Sequence, residues 1–65
     1  MGYVRGQRDT LGLTQSELAS RSGVTPRTIT KAESGRPISR QSAQAIAIAL
    51  DATLAEVVHR AVSAA

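Results

Sequence analysis

The fold of this 65-residue chain is decided by residues 14–35, which read TQSELASRSGVTPRTITKAESG. Thr14 followed three residues later by Glu17 forms a capping box, in which the threonine hydroxyl accepts from the backbone and the glutamate reaches back. Gly23 stands where a helix ends on a left-handed residue, a conformation that glycine adopts without a steric penalty. These signals predict a first helix over Gln15–Ser22.

The same stretch contains the start and stop of a second helix. Thr25 is a good N-cap, and Pro26 suits the first helical position because its missing N–H is not needed there. Gly35 supplies the stop, and Pro37 cannot continue a helix. The second helix is therefore expected over Pro26–Ser34. Two short helices joined this tightly favour a helix-turn-helix, although an ordinary helical hairpin within another small domain is the alternative.

Three further helices are predicted outside this motif. The first covers Gly2–Leu11, and a fourth runs from about Arg40 to Leu50 after a Ser39 cap. A fifth follows Thr53, which with Glu56 repeats the capping box. No strand-like alternation competes, so the sequence predicts an all-α, compact five-helix bundle that forms a single domain over residues 1–65.

The predicted core is aliphatic, because Tyr3 is the only aromatic residue. Helical spacing places an inward stripe on the fourth helix and makes the fifth amphipathic. The inward stripe of the fourth helix consists of Ala43, Ile46, Ala47 and Leu50. The apolar side of the fifth consists of Leu54, Val57, Val58, Ala61 and Val62.

Composition argues against catalysis and against metal binding. The chain has no cysteine and one histidine, His59, which is expected on the surface of the last helix. No carboxylate pair is placed for acid–base work, so we expect no enzyme, no cofactor and no metal. Neither a signal peptide nor a membrane span is evident, and the cysteine-free composition suits a reducing cytoplasm.

The net charge of +3 is distributed unevenly. Between Arg21 and Arg40 the chain carries five basic residues against Glu33 alone, whereas the rest carries three basic residues against four acids. A basic block of this kind is what neutralising DNA phosphates requires. Arginines that merely solubilise an alanine-rich surface are the alternative.

Two stretches give the chain a family resemblance, LTQSELASRSGVTPRTITKAESGRP at residues 13–37 and AIAIALDATLAEVV at residues 45–58. Together they resemble the Cro/repressor (XRE-type) helix-turn-helix family, and the likeness extends from about Val4 to Val58. The resemblance implies a five-helix, lambda-repressor-like domain that binds double-stranded DNA, often as a two-fold dimer on a palindromic operator. It also implies that the third helix is the recognition helix.

The resemblance assigns roles to several matching residues. Gln15 corresponds to a glutamine that anchors the start of the second helix on a phosphate, a role that its amide and the helix N-terminus suit. Arg8 and Glu33 correspond to a partly buried structural salt bridge. Core positions by pattern and by resemblance are Leu18, Val24, Ile29, Ile46 and Leu50.

The DNA-reading residues are expected on the side of the third helix that faces away from Ile29. Arg27 can present two donors to guanine, which is the commonest specific contact in the major groove. Arg21 is left open between a phosphate ligand and no role. The expected base contacts are Arg27, Thr28, Lys31 and Pro26. The expected phosphate contacts are Gln15, Thr25, Thr30, Ser34, Arg36 and Arg40.

The sequence thus predicts a sequence-specific transcriptional regulator that reads double-stranded DNA with residues 26–34. A phage or bacterial repressor, cytoplasmic and associated with the nucleoid through DNA, is the expected type. A homodimer on a palindromic operator is expected to use the candidate dimer face Val58, Ala61 and Val62. The alternative is a protein-interaction module, such as an antitoxin or an oligomerisation domain, that uses the fifth helix and for which DNA contact is secondary.

Overall fold

A computed structural model describes the backbone of residues 2–64 and the side chains of residues 3–62. This part of the chain is all-helical: α1 spans Gly2–Thr10, α2 Gln15–Ser22, α3 Pro26–Glu33 and α4 Arg40–Ala64. The all-α class is confirmed. The five-helix count is wrong, because the predicted fourth and fifth helices are one continuous helix.

The predicted helix starts are confirmed by their hydrogen bonds. Thr14 Oγ1 accepts from the backbone N of Glu17 at 3.0 Å, and the Glu17 carboxylate accepts from the backbone N of Thr14 at 3.0 Å. Thr25 Oγ1 accepts from the backbone N of Thr28 at 3.2 Å, and Pro26 is the first residue of α3. The entry into each helix of the motif is therefore fixed by residues adjacent in sequence.

The turn between α2 and α3 is built on Gly23. Its φ of 75° lies in the left-handed region, and the following backbone N of Val24 donates to the carbonyl of Ala19 at 3.2 Å. This Schellman-type bond satisfies a carbonyl at the end of α2 and sends the chain back across it. The helix α3 ends at Glu33, one residue before the predicted end.

The core lies where α3 and α4 pack on α2 and where α1 packs on α3. Leu18 and Ile29 are completely buried, and Ile46 and Leu50 are 2% and 4% exposed, as predicted. Val24 is half-buried against this cluster. The remaining buried apolar side chains are Val4, Leu13, Ala19, Ala32 and Ala49.

The inward stripe of α4 differs from the prediction at two positions. Ala47 is exposed and Ala43 is half-buried, whereas Ala49 is buried. Because successive helical residues are turned by about 100°, the side of α4 that faces the bundle is the one shared by Ile46, Ala49 and Leu50. The predicted stripe, which included the exposed Ala47 and not the buried Ala49, is therefore rotated away from the side that faces the bundle.

The predicted helix boundary near residue 52 does not form. Thr53 is not an N-cap, because its side chain is 3% exposed and its hydroxyl donates to the carbonyl of Ala49 at 2.8 Å. Glu56 does not reach back to cap a helix but pairs with Arg21 of α2. Asp51 and Ala52 include neither glycine nor proline, so nothing in the backbone interrupts α4 there.

Beyond Thr53, α4 leaves the bundle. The predicted apolar side of a fifth core helix is exposed instead, with exposed fractions of 46% for Leu54, 53% for Val58 and 70% for Val62. Val57 and Ala61 are exposed as well. The molecule measures 41 × 18 × 16 Å, and a 25-residue helix is about 37 Å long, so α4 sets the long dimension. The sequence leaves three uses open for this apolar side: a homodimer interface, a docking face for another protein, or the last core helix. Its exposure contradicts the last of these.

Candidate nucleic-acid interface

One side of α3 anchors the helix and the other is free to meet a ligand. Ile29 and Ala32, which are 0% and 2% exposed, hold α3 against the core. The side chains predicted to contact bases lie away from them: Pro26 and Arg27 are exposed, and Thr28 and Lys31 are half-buried. The structure therefore brings all four to the accessible part of one short helix.

The cations of α3 and of the residues from Arg36 to Arg40 form no ion pair with the described part of the protein. Within the described residues, none has a carboxylate oxygen within ion-pair distance, and each is exposed except the half-buried Lys31. These unpaired cations are Arg27, Lys31, Arg36 and Arg40. We call this set the basic surface. The other cations of the N-terminal half, Arg5, Arg8 and Arg21, are all in ion pairs.

Arg21 does not belong to the basic surface. Its Nη1 lies 2.9 Å from Glu56 Oε2 and 3.3 Å from Thr53 Oγ1, so the guanidinium is held against α4. This hydrogen bond lowers the pKa of Glu56 and raises that of Arg21. The structure thus gives Arg21 a contact within the protein, whereas the sequence left it open between a phosphate ligand and no role.

The hydroxyls predicted to touch phosphates already have partners. Thr30 Oγ1 donates to the carbonyl of Pro26 at 3.1 Å, and Ser34 Oγ donates to the carbonyl of Thr30 at 2.7 Å. Thr25 Oγ1 lies 3.1 Å from Thr28 Oγ1. To donate to a phosphate oxygen, Thr30 or Ser34 must give up its bond to the helix backbone.

A charged cluster beneath the motif joins α1, α2 and α3. Arg8 Nε donates to Glu33 Oε2 at 2.7 Å and Arg8 Nη2 to Oε1 at 3.3 Å, the pair that the resemblance implied. Arg8 Nη1 also donates to the carbonyl of Leu13 at 2.9 Å. The Arg8 and Glu33 side chains are only 13% and 8% exposed. The cluster therefore fixes the end of α3 to the first helix through a bidentate, partly buried pair.

The same cluster explains why Glu33, the one acid between Arg21 and Arg40, does not reduce the positive charge of the basic surface. The hydrogen bond from Arg8 lowers the pKa of Glu33, against the opposing effect of burial. The carboxylate is thus ionised at neutral pH and compensated by Arg8. The basic surface faces solvent without a neutralising acid of its own.

Gln15 has a contact that the sequence did not reveal. Its Nε2 donates to Glu33 Oε1 at 3.0 Å, across 18 residues of sequence. This bond orients the amide at the first position of α2 and leaves one amide N–H for another acceptor, beside the N-terminus of the helix. No short-range pattern could have indicated it, because the partner comes from the far end of α3.

The described part of the chain offers neither a metal site nor a membrane-spanning helix. It contains no group of three or more His, Asp or Glu side chains that could hold a metal ion. His59 is exposed on α4. The helices described also include none that is long and apolar enough to cross a membrane.

Comparison with known families agrees with the geometry. The family model described as Helix-turn-helix (HTH_3) matches residues 4–57. The chain belongs to the XRE-type helix-turn-helix family. This XRE-type protein is accordingly a DNA-binding regulator, from a family that is generally non-enzymatic. No curated protein and no solved structure matches the chain.

Proposed function

We propose that this XRE-type protein is a sequence-specific repressor of the phage or bacterial, Cro-like type, and that α3 reads the major groove of double-stranded DNA. The observation that carries the proposal is the basic surface. Its four cations lie on α3 and the segment after it without a carboxylate partner, whereas Arg8 and Arg21 are held in ion pairs elsewhere. Unpaired cations on a folded domain contribute little to its stability, whereas DNA phosphates would supply the missing counter-charges.

Base reading is assigned to the first turns of α3. Arg27 is exposed near the N-terminal end of the helix, where residues of a recognition helix meet base edges, and its guanidinium fits guanine O6 and N7. Lys31 lies one turn later on the same side. Thr28 offers a hydroxyl and Pro26 an apolar ring that suits a thymine methyl.

Phosphate contacts are assigned to the ends of the motif. Arg36 and Arg40 follow α3 and can neutralise the DNA backbone on one side of the groove. Gln15, held by Glu33, and the N-terminus of α2 suit a phosphate on the other side. Thr25, Thr30 and Ser34 complete the proposed contacts, the last two after release of their helix bonds.

Repression follows if two copies bind together. Two α3 helices would enter successive major grooves about 34 Å apart, and the bound pair would block access to a promoter by steric occlusion. Such a protein would act in the cytoplasm, on the nucleoid. The palindrome of the operator would then reflect the two-fold axis of the protein pair.

A second candidate function is supported by the free end of α4. Leu54, Val58 and Val62 are 46%, 53% and 70% exposed, which suits a protein-interaction module of the antitoxin or oligomerisation type. Such a module has no need of the unpaired cations Arg27, Lys31, Arg36 and Arg40. The charge distribution therefore favours DNA binding as the primary function.

The decisive experiment is selection of binding sites from random duplex DNA at physiological salt. An enriched palindrome would support a dimeric, sequence-specific regulator, and its half-site spacing would report the arrangement of the two α3 helices. Enrichment of a single short motif would support reading by a monomer. Absence of any enriched sequence would overturn specific readout and favour the interaction module.

A further inference from the structure

An apolar cavity of about 90 Å³ lies between α1, the start of α4 and the loop that joins α3 to α4. Its inner wall consists of core side chains, since Val4, Ile46 and Leu50 are 4%, 2% and 4% exposed. Tyr3 and Ala47 also line it and are exposed, so the cavity is open to solvent on their side. Protein interiors contain few voids larger than a water molecule, so a space of this size beside the core is unusual.

The cavity exists because the chain supplies no side chain to fill it. Ala43 and Ala47 line it from successive turns of α4, and each contributes only a methyl group. Tyr3, the only aromatic residue of the chain, is 64% exposed at the opening and does not occupy the space. The void is therefore set by residue size on a well-formed helix and not by a poorly ordered segment.

The chemistry of the lining selects an apolar occupant. No charged side chain lines the cavity, and the hydroxyl of Tyr3 is the only polar side-chain group among its residues. A water needs about two to four polar partners to be held, so water is easily displaced from this cavity by an apolar group. An apolar cavity of about 150 Å³ binds benzene or xenon, and this smaller one is open on one side. The ligand that fits is therefore compact, uncharged and hydrocarbon in character.

One wall of the cavity is easier to move than the others. Ile38 is the one lining residue that lies outside a helix, whereas the rest belong to α1 or α4. A loop yields more readily than a helix that is fixed by its own hydrogen bonds. Ile38 also stands between Arg36 and Arg40, two cations of the basic surface. An occupant too large for the cavity would therefore displace the segment that carries both arginines.

We propose that this cavity is an effector site for a compact, uncharged hydrocarbon ligand, and that Ile38 transmits its occupancy to Arg36 and Arg40. A ligand as small as a xenon atom binds without moving the loop. A ligand of the size of a benzene ring displaces Ile38, shifts the two arginines from their place beside the DNA backbone and weakens DNA binding. This second step rests on the proposed function, whereas occupation of the cavity needs no DNA.

The first test titrates the isotope-labelled chain with xenon under pressure and, separately, with benzene, and follows the backbone amides by NMR without DNA. Amides beside the cavity should shift with either probe, whereas those of Arg36 and Arg40 should shift with benzene alone. Absence of shifts with both probes up to their solubility would overturn the site.

Filling variants locate the ligand. Ala43→Leu places a larger side chain in the cavity and should lower the affinity for both probes about tenfold or more. Ala47→Leu fills the cavity from its opening and provides an independent variant, and Ala52→Leu on an exposed part of α4 is the matched control. Unchanged affinity in both filling variants would overturn the site. Shifts of the same amides on raising the protein concentration alone would also overturn it, because a protein surface would then cover the cavity.

The second test measures the affinity for a duplex DNA with and without each probe. Benzene should weaken DNA binding about fivefold or more, xenon should leave it unchanged, and Ala43→Leu should remove the effect of benzene. A DNA affinity that does not respond to benzene would overturn transmission through Ile38. A chain that binds no DNA would overturn the proposed function, whereas binding of xenon and benzene is judged by the NMR titrations alone.

Discussion

Arg21 of α2 and Glu56 of α4 are 35 residues apart in sequence, yet the arginine Nη1 lies 2.9 Å from the glutamate Oε2. The same Nη1 reaches Thr53 Oγ1 at 3.3 Å, and Thr53 is the last buried residue among the described side chains of α4. The arginine thus holds α4 at the point where the helix leaves the bundle. Beyond Thr53, every described side chain of α4 is exposed.

We expect Arg21→Ala to loosen the end of α4 without unfolding the domain. The Arg21 and Glu56 side chains are 41% and 51% exposed, so the pair contributes little to global stability. It does oppose fraying, because amides near a free helix end open locally. Amide hydrogen exchange should therefore quicken after residue 53 and stay unchanged in α2 and α3. Arg5→Ala, which removes a pair within α1, is the control, and equal acceleration throughout the chain would contradict the assignment.

The Arg8–Glu33 pair predicts how stability depends on pH. The folded state lowers the pKa of Glu33 below the ordinary value of a glutamate, chiefly through the hydrogen bond from Arg8. The stabilisation is therefore fully present above about pH 4.5 and is lost as the pH falls through the lowered value. The pKa values of Glu17 and Glu56 are lowered as well, so they add to acid sensitivity in the same direction.

Glu33→Gln should remove part of this dependence. At neutral pH the variant leaves Arg8 without its main partner in a partly buried site, which should cost about 2 kcal/mol. Between about pH 5 and pH 3 its free energy of unfolding should fall less steeply than that of the wild type. Urea titrations at several pH values measure both effects. Asp51→Asn in dilute solution is the matched control, and parallel pH profiles for wild type and Glu33→Gln would refute the role of Glu33.

Two glycines should respond in opposite ways to the same substitution. Gly6 lies within α1 with nothing within 4 Å of an added Cβ, so Gly6→Ala should stabilise the domain by about 0.5–1 kcal/mol. Gly12 has equally open surroundings but a φ of +71°, so Gly12→Ala should cost about 1 kcal/mol through the backbone alone. Urea unfolding at neutral pH compares them, and a loss of stability in Gly6→Ala would show that α1 does not benefit from helix propensity.

Local signals made most of the motif predictable. Thr14 with Glu17, Gly23, and Thr25 with Pro26 each act on neighbours within a few residues, so their effect is independent of the rest of the fold. The failure near residue 52 has the opposite cause. Thr53 and Glu56 have the spacing of a capping box, but Arg21 offers both of them a partner that no local pattern reveals.

In the candidate site, too, features set by local geometry could be predicted from the sequence and features set by distant contacts could not. Arg27 and Lys31 could be placed on the accessible side of α3 because helical geometry relates them to the buried Ile29. Which cations remain unpaired could not be predicted, since that depends on the contacts of Arg8 and Arg21 with distant acids. The exposure of the apolar end of α4 could not be predicted either. An amphipathic pattern shows that a helix has an apolar side, but it does not show whether the chain supplies a surface to cover that side.

We expect the basic surface to determine how steeply DNA affinity falls as the salt concentration rises. Arg36 and Arg40, as phosphate ligands, each release counterions on binding, so alanine at either position should reduce the slope of log K against log[salt] by about 1. Affinity should weaken by a similar factor on every DNA sequence. Arg60→Ala removes an arginine from the far end of α4 and should leave the slope unchanged. A slope unaffected by Arg36→Ala and Arg40→Ala would remove both from the interface.

Arg27 should instead determine which DNA is preferred. If its guanidinium reads a guanine, Arg27→Ala should cost about 1–3 kcal/mol on the selected site and relax the preference at one base pair. The domain should remain folded, because the Arg27 side chain is exposed and makes no ion pair within the described residues. Repeating site selection with the variant, beside titrations on specific and random duplexes, distinguishes the two kinds of contact. An equal loss on all sequences, with a smaller salt slope, would make Arg27 a phosphate ligand and leave Lys31 as the remaining charged reader on α3.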